Sequence, residues 1–318
     1  MEKMTPYTRV LTALEGKKPD RIPVVPMARE WCSRQVGIEF VEEMESIEKH
    51  VYSQTYCLGQ FGYDIVWDMF ACHSESEAMG SVLKIAKGYP PSVLTPAVED
   101  YRRDLPKLKL FDPYQNKRMY MILEGIRRLK SRFGAEVPVM GYVQGVMRHA
   151  SMLRGSEKVM KDMYKEKESL RELCEIALNS LIVYVVAIIS AGADIVFVSD
   201  PASSGDAVSK KQYEEWGAPY TKRLVGMIKR SGVKTILHIC GNTTDRLELM
   251  AGTGVDCLSL DGAVNFEEAR RILGPNFCLM GNVDTTLFGL GEAKAVAEAS
   301  KEILQKAGKE GGLLLSAG

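Results

Sequence analysis

The sequence predicts an α/β protein whose fold is a (β/α)8 TIM barrel with an N-terminal helical extension. Eight apolar runs of five to eight residues alternate with longer stretches of helical character, which is the pattern of βαβ units in a parallel sheet. Runs four to eight are almost continuously apolar, as expected for strands that are buried on both faces. The chain of 318 residues is also long enough for this fold, because such a barrel takes about 250 residues plus insertions.

The predicted strands lie, in chain order, at 21–25, 63–67, 137–143, 193–199, 233–240, 255–260, 277–282 and 312–316. The predicted helices lie at 5–14, 41–58, 116–132, 156–190, 209–230, 244–251, 265–273 and 292–307. Thr5 before Pro6 predicts the start of the first helix. Ser209, three residues before Gln212, forms a capping-box pattern for the fifth. We expect a single barrel domain over 1–318, in which the irregular stretch 81–112 is either an insertion above the rim or, equally, a plain surface excursion.

The composition disfavours several classes of function. The 41 basic and 41 acidic residues give a net charge of zero, so we expect neither a nucleic-acid nor a membrane partner. Seven scattered cysteines and an N-terminus without an apolar run indicate a cytoplasmic protein with free thiols. The uncharged stretch 176–193 is interpreted as a buried helix that leads into a strand. No Gly-x-Gly-x-x-Gly follows the first strand, which argues against a dinucleotide site.

Polar residues or glycines end six consecutive predicted strands, at the end where a barrel builds its active site. These strand ends carry Asp68, Gln144, Asp200, His238 with Cys240, Asp261, and Asn282 with Asp284. Turn formation and helix capping account for about half of them. Asp68 and Asp200 are each candidates for a general acid or base, for an anchor of a cationic or hydroxyl group, and for a structural cap.

His238 and Cys240 form the most specific pair. Residues i and i+2 of a strand point to the same face, so the imidazole and the thiol are expected side by side. Both groups are suitable ligands for Zn²⁺. From the spacing alone, a packed or hydrogen-bonded His–Cys pair is the commoner outcome.

A catalytic zinc needs a third protein ligand, and the cysteines differ in how well they could supply it. Cys257 and Cys278 begin their strands, at the opposite end of the barrel. Cys32 and the pair at 72–73 follow the first two strands and could approach the site. A position just after Gly318, at the end of the eighth strand, is also well placed.

The segment Leu237–Asn242, followed by Met280–Asp284, resembles the zinc motif of the cobalamin-linked methyltransferases. These enzymes form a branch of the uroporphyrinogen decarboxylase superfamily. Segments 9–16 and 19–24 are similar to the superfamily's first helix and first strand, and 65–68 resembles the segment that carries the decarboxylases' catalytic aspartate. The resemblance covers nearly the whole chain.

The resemblance implies a zinc-dependent methyltransferase. It would move a methyl group between a small molecule and the cobalt of methylcobalamin or cob(I)alamin, carried by a partner corrinoid protein. The small molecule could be a methoxyarene, as in O-demethylation by anaerobes, a methylated one-carbon compound or a thiol. His238 and Cys240 would be zinc ligands, and the family's third ligand, a Cys, would fall just after Gly318. Either the native protein continues beyond these 318 residues or it uses another third ligand. We expect the first, because a barrel without a last helix after strand eight leaves the outer face of that strand exposed. The candidate catalytic or substrate-binding residues are Asp68, Gln144, Asp200, Asn282 and Asp284.

Three alternatives stay open. A metal-free decarboxylase would act through Asp68, but the decarboxylases' paired-arginine motif is broken at 27–34, where only Arg29 corresponds to it. A methyltransferase that uses tetrahydrofolate would need no zinc. A non-catalytic carrier on this fold would bind its ligand without turnover.

Four aromatic residues near the rim would suit a flat substrate, although such residues are also common in protein cores. They are Trp31, Trp67, Phe70 and Tyr142.

Overall fold

The structure is a computed structural model that describes residues 3–68, 73–86 and 89–318. Seven parallel strands form one sheet, in the order in which they occur in the chain, and two further strands pair as an antiparallel hairpin. The hairpin is β2 and β3, and the bounds in chain order are β1 (Val66–Trp67), β2 (Val82–Ala86), β3 (Tyr89–Thr95), β4 (Val139–Gln144), β5 (Ile195–Ser199), β6 (Lys234–Ile239), β7 (Cys257–Leu260), β8 (Cys278–Val283) and β9 (Leu313–Ala317).

The sheet closes into a barrel through a short extended segment at residues 23–25. Val25 N donates to Leu315 O at 2.8 Å on one side, and Asp64 N donates to Val24 O at 2.8 Å on the other. This segment stands where the first strand was predicted, but only Val24 forms a strand-like bridge. Pro23 and Pro26 flank it, and proline supplies no backbone donor to a ladder.

The helices lie around the sheet and at its two ends. They are α1 (Pro6–Leu14), α2 (Arg29–Gln35), α3 (Phe40–Met44), α4 (Ile47–Phe61), α5 (Ser74–Ala78), α6 (Tyr101–Asp104), α7 (Lys117–Phe133), α8 (Val146–Arg154), α9 (Ser156–Lys165), α10 (Lys167–Ala191), α11 (Lys210–Gln212), α12 (Ala218–Arg230), α13 (Leu247–Ala251), α14 (Phe266–Leu273), α15 (Thr285–Leu290) and α16 (Ala293–Ala307). The prediction of an α/β barrel with additional helices before the first regular strand is confirmed.

Several predicted elements differ in detail. The helix predicted at 41–58 is divided into α3 and α4, because Ser46 caps a new helix by accepting from Lys49 N at 3.3 Å. The helix predicted at 209–230 contains a π turn at Tyr213–Gly217, next to Pro219, whose missing N–H interrupts the regular ladder. The insertion at 81–112, predicted as irregular, contains the β2–β3 hairpin and α6.

The barrel interior is filled by side chains from alternate positions of the strands. Its hydrophobic cluster includes Trp67, Met140, Phe197 and Met280, and α1 closes the N-terminal end with three buried side chains: Val10, Ala13 and Leu14. Cys257 and Cys278 lie in this same buried cluster. Because strands β4 to β9 all run in one direction, their C-terminal ends meet at the opposite rim, which we call the barrel mouth.

Helix α10 contains the uncharged stretch at 176–191. It is long and apolar enough to cross a membrane by length and composition, and 56% of its most apolar 18-residue window is buried inside the protein. It packs against α7, α8, α12 and β4. A core helix that is covered on several sides has this composition for packing reasons alone.

Candidate active site at the barrel mouth

His238 and Cys240 lie side by side at the end of β6, as their spacing predicts. His238 Nε2 is 3.1 Å from Cys240 Sγ, and the imidazole stacks on Phe197 of the barrel interior. His238 Nδ1 is 3.2 Å from both the carbonyl oxygen and the hydroxyl oxygen of Ser259 on β7. Because a carbonyl only accepts, its bond places the proton on Nδ1 and leaves the lone pair of Nε2 beside the thiol.

The protonation states of this pair suit a metal ion. Burial lowers the pKa of His238, against the opposing effect of its bond to Ser259, which favours a neutral imidazole. Burial, followed by the charge of Asp261, raises the pKa of the Cys240 thiol, and a coordinated cation would reverse that shift. The residues therefore fit as two of the ligands of a zinc. Within the described ranges, no group of three or more His, Cys, Asp or Glu side chains could hold a metal ion.

The turn after Cys240 is held from the neighbouring strand. Asp261, which follows β7, accepts from Gly241 N at 2.9 Å with one carboxylate oxygen and from Ala263 N at 3.0 Å with the other. Gly241 has φ +75°, and a side chain at this position would overlap the Asp206 carboxylate. The positive φ favours glycine in this turn, which directly follows Cys240.

Asp68, after β1, forms a buried ion pair with Arg29 of α2. Arg29 Nη2 lies 2.9 Å from Asp68 Oδ1, and the two side chains are 7% and 2% exposed. The second carboxylate oxygen accepts from Tyr142 N at 2.8 Å, and the guanidinium lies 4.6 Å from the Tyr142 ring centroid. Burial raises the pKa of Asp68 and the charge of Arg29 opposes the rise. Of the three uses predicted for Asp68, these contacts correspond to the anchor of a cationic group, the cation being Arg29 of the chain itself.

Gln144, at the end of β4, is bound to a carboxylate that was not predicted. Its backbone N and side-chain Nε2 donate to the two oxygens of Glu75 on α5, at 3.2 and 3.0 Å. Both residues are fully buried, and burial raises the pKa of Glu75. Gln144 Oε1 has no partner among the described atoms. The pair is 69 residues apart in sequence, so no local signal could have joined it.

Asp200, after β5, lies against the start of α8. Its Oδ1 accepts from Arg148 N at 2.8 Å, which gives the helix a cap that its own N-cap residue, Gly145, lacks. A side chain at Gly145 would overlap Asp200. Burial raises the pKa of Asp200 to about 6. The structural cap that was one of its predicted uses is therefore observed.

Asn282 and Asp284 hold the loops around the mouth. Asn282 Nδ2 donates to Asp261 O at 3.0 Å and to Val264 O at 2.7 Å, so the amide secures the loop that carries Asp261. Asp284 is exposed, and its carboxylate caps α15 by accepting from Thr286 N at 2.8 Å. These hydrogen bonds direct neither the Asn282 amide nor the Asp284 carboxylate toward the His238–Cys240 pair.

Two further residues of the mouth, Arg148 and His73, were not selected from the sequence as site residues in their own right. Arg148, the third residue of α8, is half-buried, and its Nη1 lies 3.4 Å from Ser199 Oγ at the end of β5. His73 is 9% exposed, and burial, helped by the charge of Arg148, lowers its pKa to about 4. Arg148 lies on a helix that the sequence analysis did not predict, which is why it was missed.

The other residues that were predicted to contribute to the site either lie away from the His238–Cys240 pair or fall outside the described residues. Cys32 is buried with Cys57 and Tyr63 in a separate small cluster. Trp31 is 41% exposed and contacts Phe61. Phe70 and Cys72 lie outside the described residues. A surface cavity of about 380 Å³ lies between α3, α7 and the β2–β3 hairpin, and it contains none of the groups of the mouth.

Comparison with known proteins places the whole chain in one family. A family model described as uroporphyrinogen decarboxylase (URO-D) matches residues 5–318. The methylcobamide:CoM methyltransferase MtbA of Methanosarcina acetivorans is 29% identical over 309 residues, covering 96% of this chain and 90% of that protein. The methylcobamide:CoM methyltransferase MtaA of Methanosarcina barkeri is 27% identical over 325 residues, covering 96% and 92%. A uroporphyrinogen decarboxylase of Anaeromyxobacter is 28% identical over 335 residues, covering 98% and 92%.

Solved structures support the fold. A methyltransferase from Methanosarcina mazei superimposes with a TM-score of 0.89 and 26% identity, covering 99% of this chain and 93% of that one. A B12-independent methionine synthase from Shewanella shares the fold with a TM-score of 0.56 at 17% identity, covering 87% of this chain and 81% of that one.

Proposed function

The chain belongs to the uroporphyrinogen decarboxylase family, and we propose that within this family it is a corrinoid-dependent methyltransferase that uses zinc. The methyl group would move between the cobalt of a corrinoid, carried by a partner protein, and a heteroatom of a small molecule. Relatives named as methylcobamide:CoM methyltransferases support the corrinoid and a thiol acceptor. Membership of this family does not by itself distinguish a methyltransferase from a decarboxylase, because a uroporphyrinogen decarboxylase is similar to this chain at nearly the same identity.

The observation that carries the proposal is the arrangement of His238 and Cys240. Nε2 and Sγ are 3.1 Å apart, at the end of the barrel where active sites form. Ser259 accepts a hydrogen bond from Nδ1 and so fixes the imidazole with the lone pair of Nε2 available to a metal ion. A fixed outer partner of this kind is typical of histidines that bind metals.

The chain's own residues would hold the metal and shape the space above it. His238 and Cys240 would supply two ligands. Gly318 N donates to Val283 O at 2.8 Å, so the ends of β8 and β9 lie together at the mouth. A bound zinc would supply Lewis-acid chemistry, lowering the pKa of a thiol or polarising an oxygen at its open position.

The corrinoid protein would approach over the mouth, which is the open end of the barrel, since α1 fills the other end. Cys240 is partly exposed there, whereas His238 is buried. We place the protein in the cytoplasm, where thiols stay reduced.

The metal-free decarboxylase is less well supported by the geometry. A catalytic carboxylic acid must be able to exchange a proton with substrate. Asp68 instead has both oxygens occupied, by Arg29 Nη2 and by Tyr142 N. The single arginine of the broken motif is thereby also committed to Asp68, so it is not set apart to bind the several carboxylates of a porphyrinogen.

The test compares zinc content and methyl transfer in the wild type, His238→Ala and Cys240→Ala, using metal analysis after dialysis and methylcobalamin with a thiol. Cys278→Ala is the control, because it removes a thiol that is buried at the other end of the barrel. We expect zinc and transfer to be lost in both site variants and retained in the control. Retention of both in either site variant would rule the proposal out.

A further inference from the structure

Two cysteines lie side by side at the N-terminal end of the barrel, away from the proposed metal ligands. Cys257 and Cys278 begin the neighbouring strands β7 and β8 and pair with each other in register. Both belong to the hydrophobic cluster that fills the barrel interior, so both side chains point inward. The spacing of neighbouring strands, about 4.8 Å, falls within the Cα–Cα range of roughly 4.4–6.8 Å that a disulfide bridges. The backbone therefore already places the two residues as a disulfide requires.

The two thiols also interact with each other. Burial raises the pKa of Cys257, and a hydrogen bond with the Cys278 side chain adds to the rise. Because inward-directed side chains of neighbouring strands converge toward the axis of a closed barrel, this contact needs no movement of the strands. The two sulfur atoms are thus neighbours before any oxidation takes place.

A guanidinium group lies close enough to this pair to act on it. The charge of Arg270, on α14, lowers the pKa of Cys257, and this effect is larger than the opposite effect of Asp256. The nearby thiols in turn oppose the lowering of the pKa of Arg270 by burial. A cationic neighbour favours the thiolate, which is the form of cysteine that reacts with oxidants.

A surface depression leads to one of the two thiols. It has a volume of about 610 Å³ and lies between the end of α1 and the starts of β6, β7 and β8, and Cys278 is one of the residues that line it. Cys278 is only 1% exposed, and Cys257 is fully buried. An oxidant of the size of hydrogen peroxide can therefore reach Cys278 with little displacement of its neighbours, whereas a bulky disulfide such as oxidised glutathione is excluded.

We propose that Cys257 and Cys278 form a reversible disulfide when the folded protein meets hydrogen peroxide. The Cys278 thiolate attacks one peroxide oxygen: an S–O bond forms, the O–O bond breaks, and the departing hydroxide takes up the thiol proton and leaves as water. The Cys257 sulfur then attacks the Cys278 sulfur: the S–S bond forms, the S–O bond breaks, and the hydroxyl leaves with the Cys257 proton as a second water. Two thiols lose two electrons, and one peroxide is reduced to two waters.

The disulfide gives this part of the barrel an oxidation product that thiols can reverse. A cysteine without a thiol neighbour proceeds from sulfenic to sulfinic acid, which thiols do not reduce. A charged sulfinate inside the apolar cluster would also be costly. The inference does not depend on the proposed function, because the pair lies at the opposite end of the barrel from His238 and Cys240.

Peptide mapping after oxidation of the native protein tests the proposal. The wild type would be incubated with hydrogen peroxide without denaturant, quenched with catalase, unfolded in N-ethylmaleimide and digested with trypsin. Cys257 and Cys278 fall in separate tryptic peptides, 247–270 and 272–294, with one cysteine in each. Cys174 is the internal control, because it is as buried as Cys257 and packs against Met147 rather than against a cysteine.

We expect the two peptides to become linked, at a mass two hydrogens below their sum, at least about tenfold faster than Cys174 loses its thiol. Dithiothreitol added to the folded protein should restore both thiols. The inference is wrong if both cysteines remain open to alkylation. It is equally wrong if Cys174 is oxidised at the same rate, since the linkage would then follow from unfolding.

Two isosteric variants test the order of the steps. In Cys257→Ser, Cys278 still lines the depression but has no thiol beside it, so peroxide should convert it to sulfinic acid, a gain of two oxygens on peptide 272–294. In Cys278→Ser, Cys257 should remain open to alkylation, because the residue that meets the oxidant first is gone. A Cys278 that stays reduced in the first variant, or a Cys257 oxidised as fast as in the wild type in the second, contradicts the attack at Cys278.

Discussion

Breaking the Arg29–Asp68 pair tests whether Asp68 is an anchor or an acid. The change is Arg29→Met, which keeps the length of the side chain and removes its charge. Both partners are more than nine-tenths buried, so the carboxylate would be left in the interior with Tyr142 N still donating to it. Removing one member of a buried ion pair typically costs about 3–5 kcal/mol, and we expect a loss of that size in the free energy of unfolding at pH 8.

The loss should shrink as the pH falls. Burial already raises the pKa of Asp68, and Arg29 opposes the rise, so the variant's folded-state pKa will be higher still. A raised folded-state pKa means that the folded protein binds the extra proton, and stability is lost as the pH rises through that pKa. The variant should therefore regain up to about 1.4 kcal/mol for each pH unit below it.

The assay is urea unfolding at pH 5 and pH 8, followed by tryptophan fluorescence and circular dichroism. The double variant Arg29→Met/Asp68→Asn removes the stranded charge but keeps an acceptor for Tyr142 N. We expect it to be at least about 2 kcal/mol more stable than Arg29→Met at pH 8. The reasoning fails if Arg29→Met loses less than about 1 kcal/mol at pH 8, or if the double variant is no more stable than the single one.

Three other predictions concern the mouth and the base of the barrel. Ser259→Ala should lower zinc affinity up to about tenfold in a chelator competition, because the carbonyl still orients His238; an unchanged affinity would show that the hydroxyl is irrelevant. Asp200 has a folded-state pKa of about 6, above its ordinary 3.8, so its stabilising contribution is greatest below pH 4 and is lost as the pH rises through 6. Between pH 4 and pH 7 the wild type should therefore lose about 2–3 kcal/mol more than Asp200→Asn in urea unfolding, and parallel pH profiles would contradict this. Arg270 donates to five backbone carbonyls near the N-terminal end of the barrel, so Arg270→Met should cost about 3–5 kcal/mol, whereas the exposed Arg271→Met should cost less than about 0.5 kcal/mol.

The strands of the fold were predictable where the signal is local. Strands β5 to β9, which are the predicted runs four to eight, are mostly buried, so their sequences are almost continuously apolar and easy to recognise. The first predicted strand did not form regularly because Pro23 and Pro26 remove ladder donors. Helix α8 was missed because its cap, Asp200, comes from a strand end 52 residues from its partner Arg148.

The same division holds for the site. His238 and Cys240 are two residues apart on one strand, so their proximity follows from the strand period alone. Arg29 with Asp68 and Glu75 with Gln144 are joined over 39 and 69 residues. Tertiary packing determines which residues form such pairs. The polar strand ends therefore identify Asp68 and Gln144 in the sequence but do not show which residue each of them binds. The family resemblance read from the motifs is confirmed by the match over residues 5–318.

Most of the polar strand ends turn out to hold backbone rather than to face a ligand. Asp200 caps α8, Asp261 fixes the turn at Gly241, and Asn282 secures the loop of Asp261. Among the groups described at the mouth, the His238–Cys240 pair keeps a lone pair on Nε2 and a thiol beside each other, so it is the pair from which we expect reactivity. Where the acidic side chains of a barrel hold its loops in place, the chemistry can change by substitution of the few groups that react with a ligand. The loops that carry those groups keep their positions. This accounts for decarboxylases and methyltransferases that share one family at similar identity to this chain.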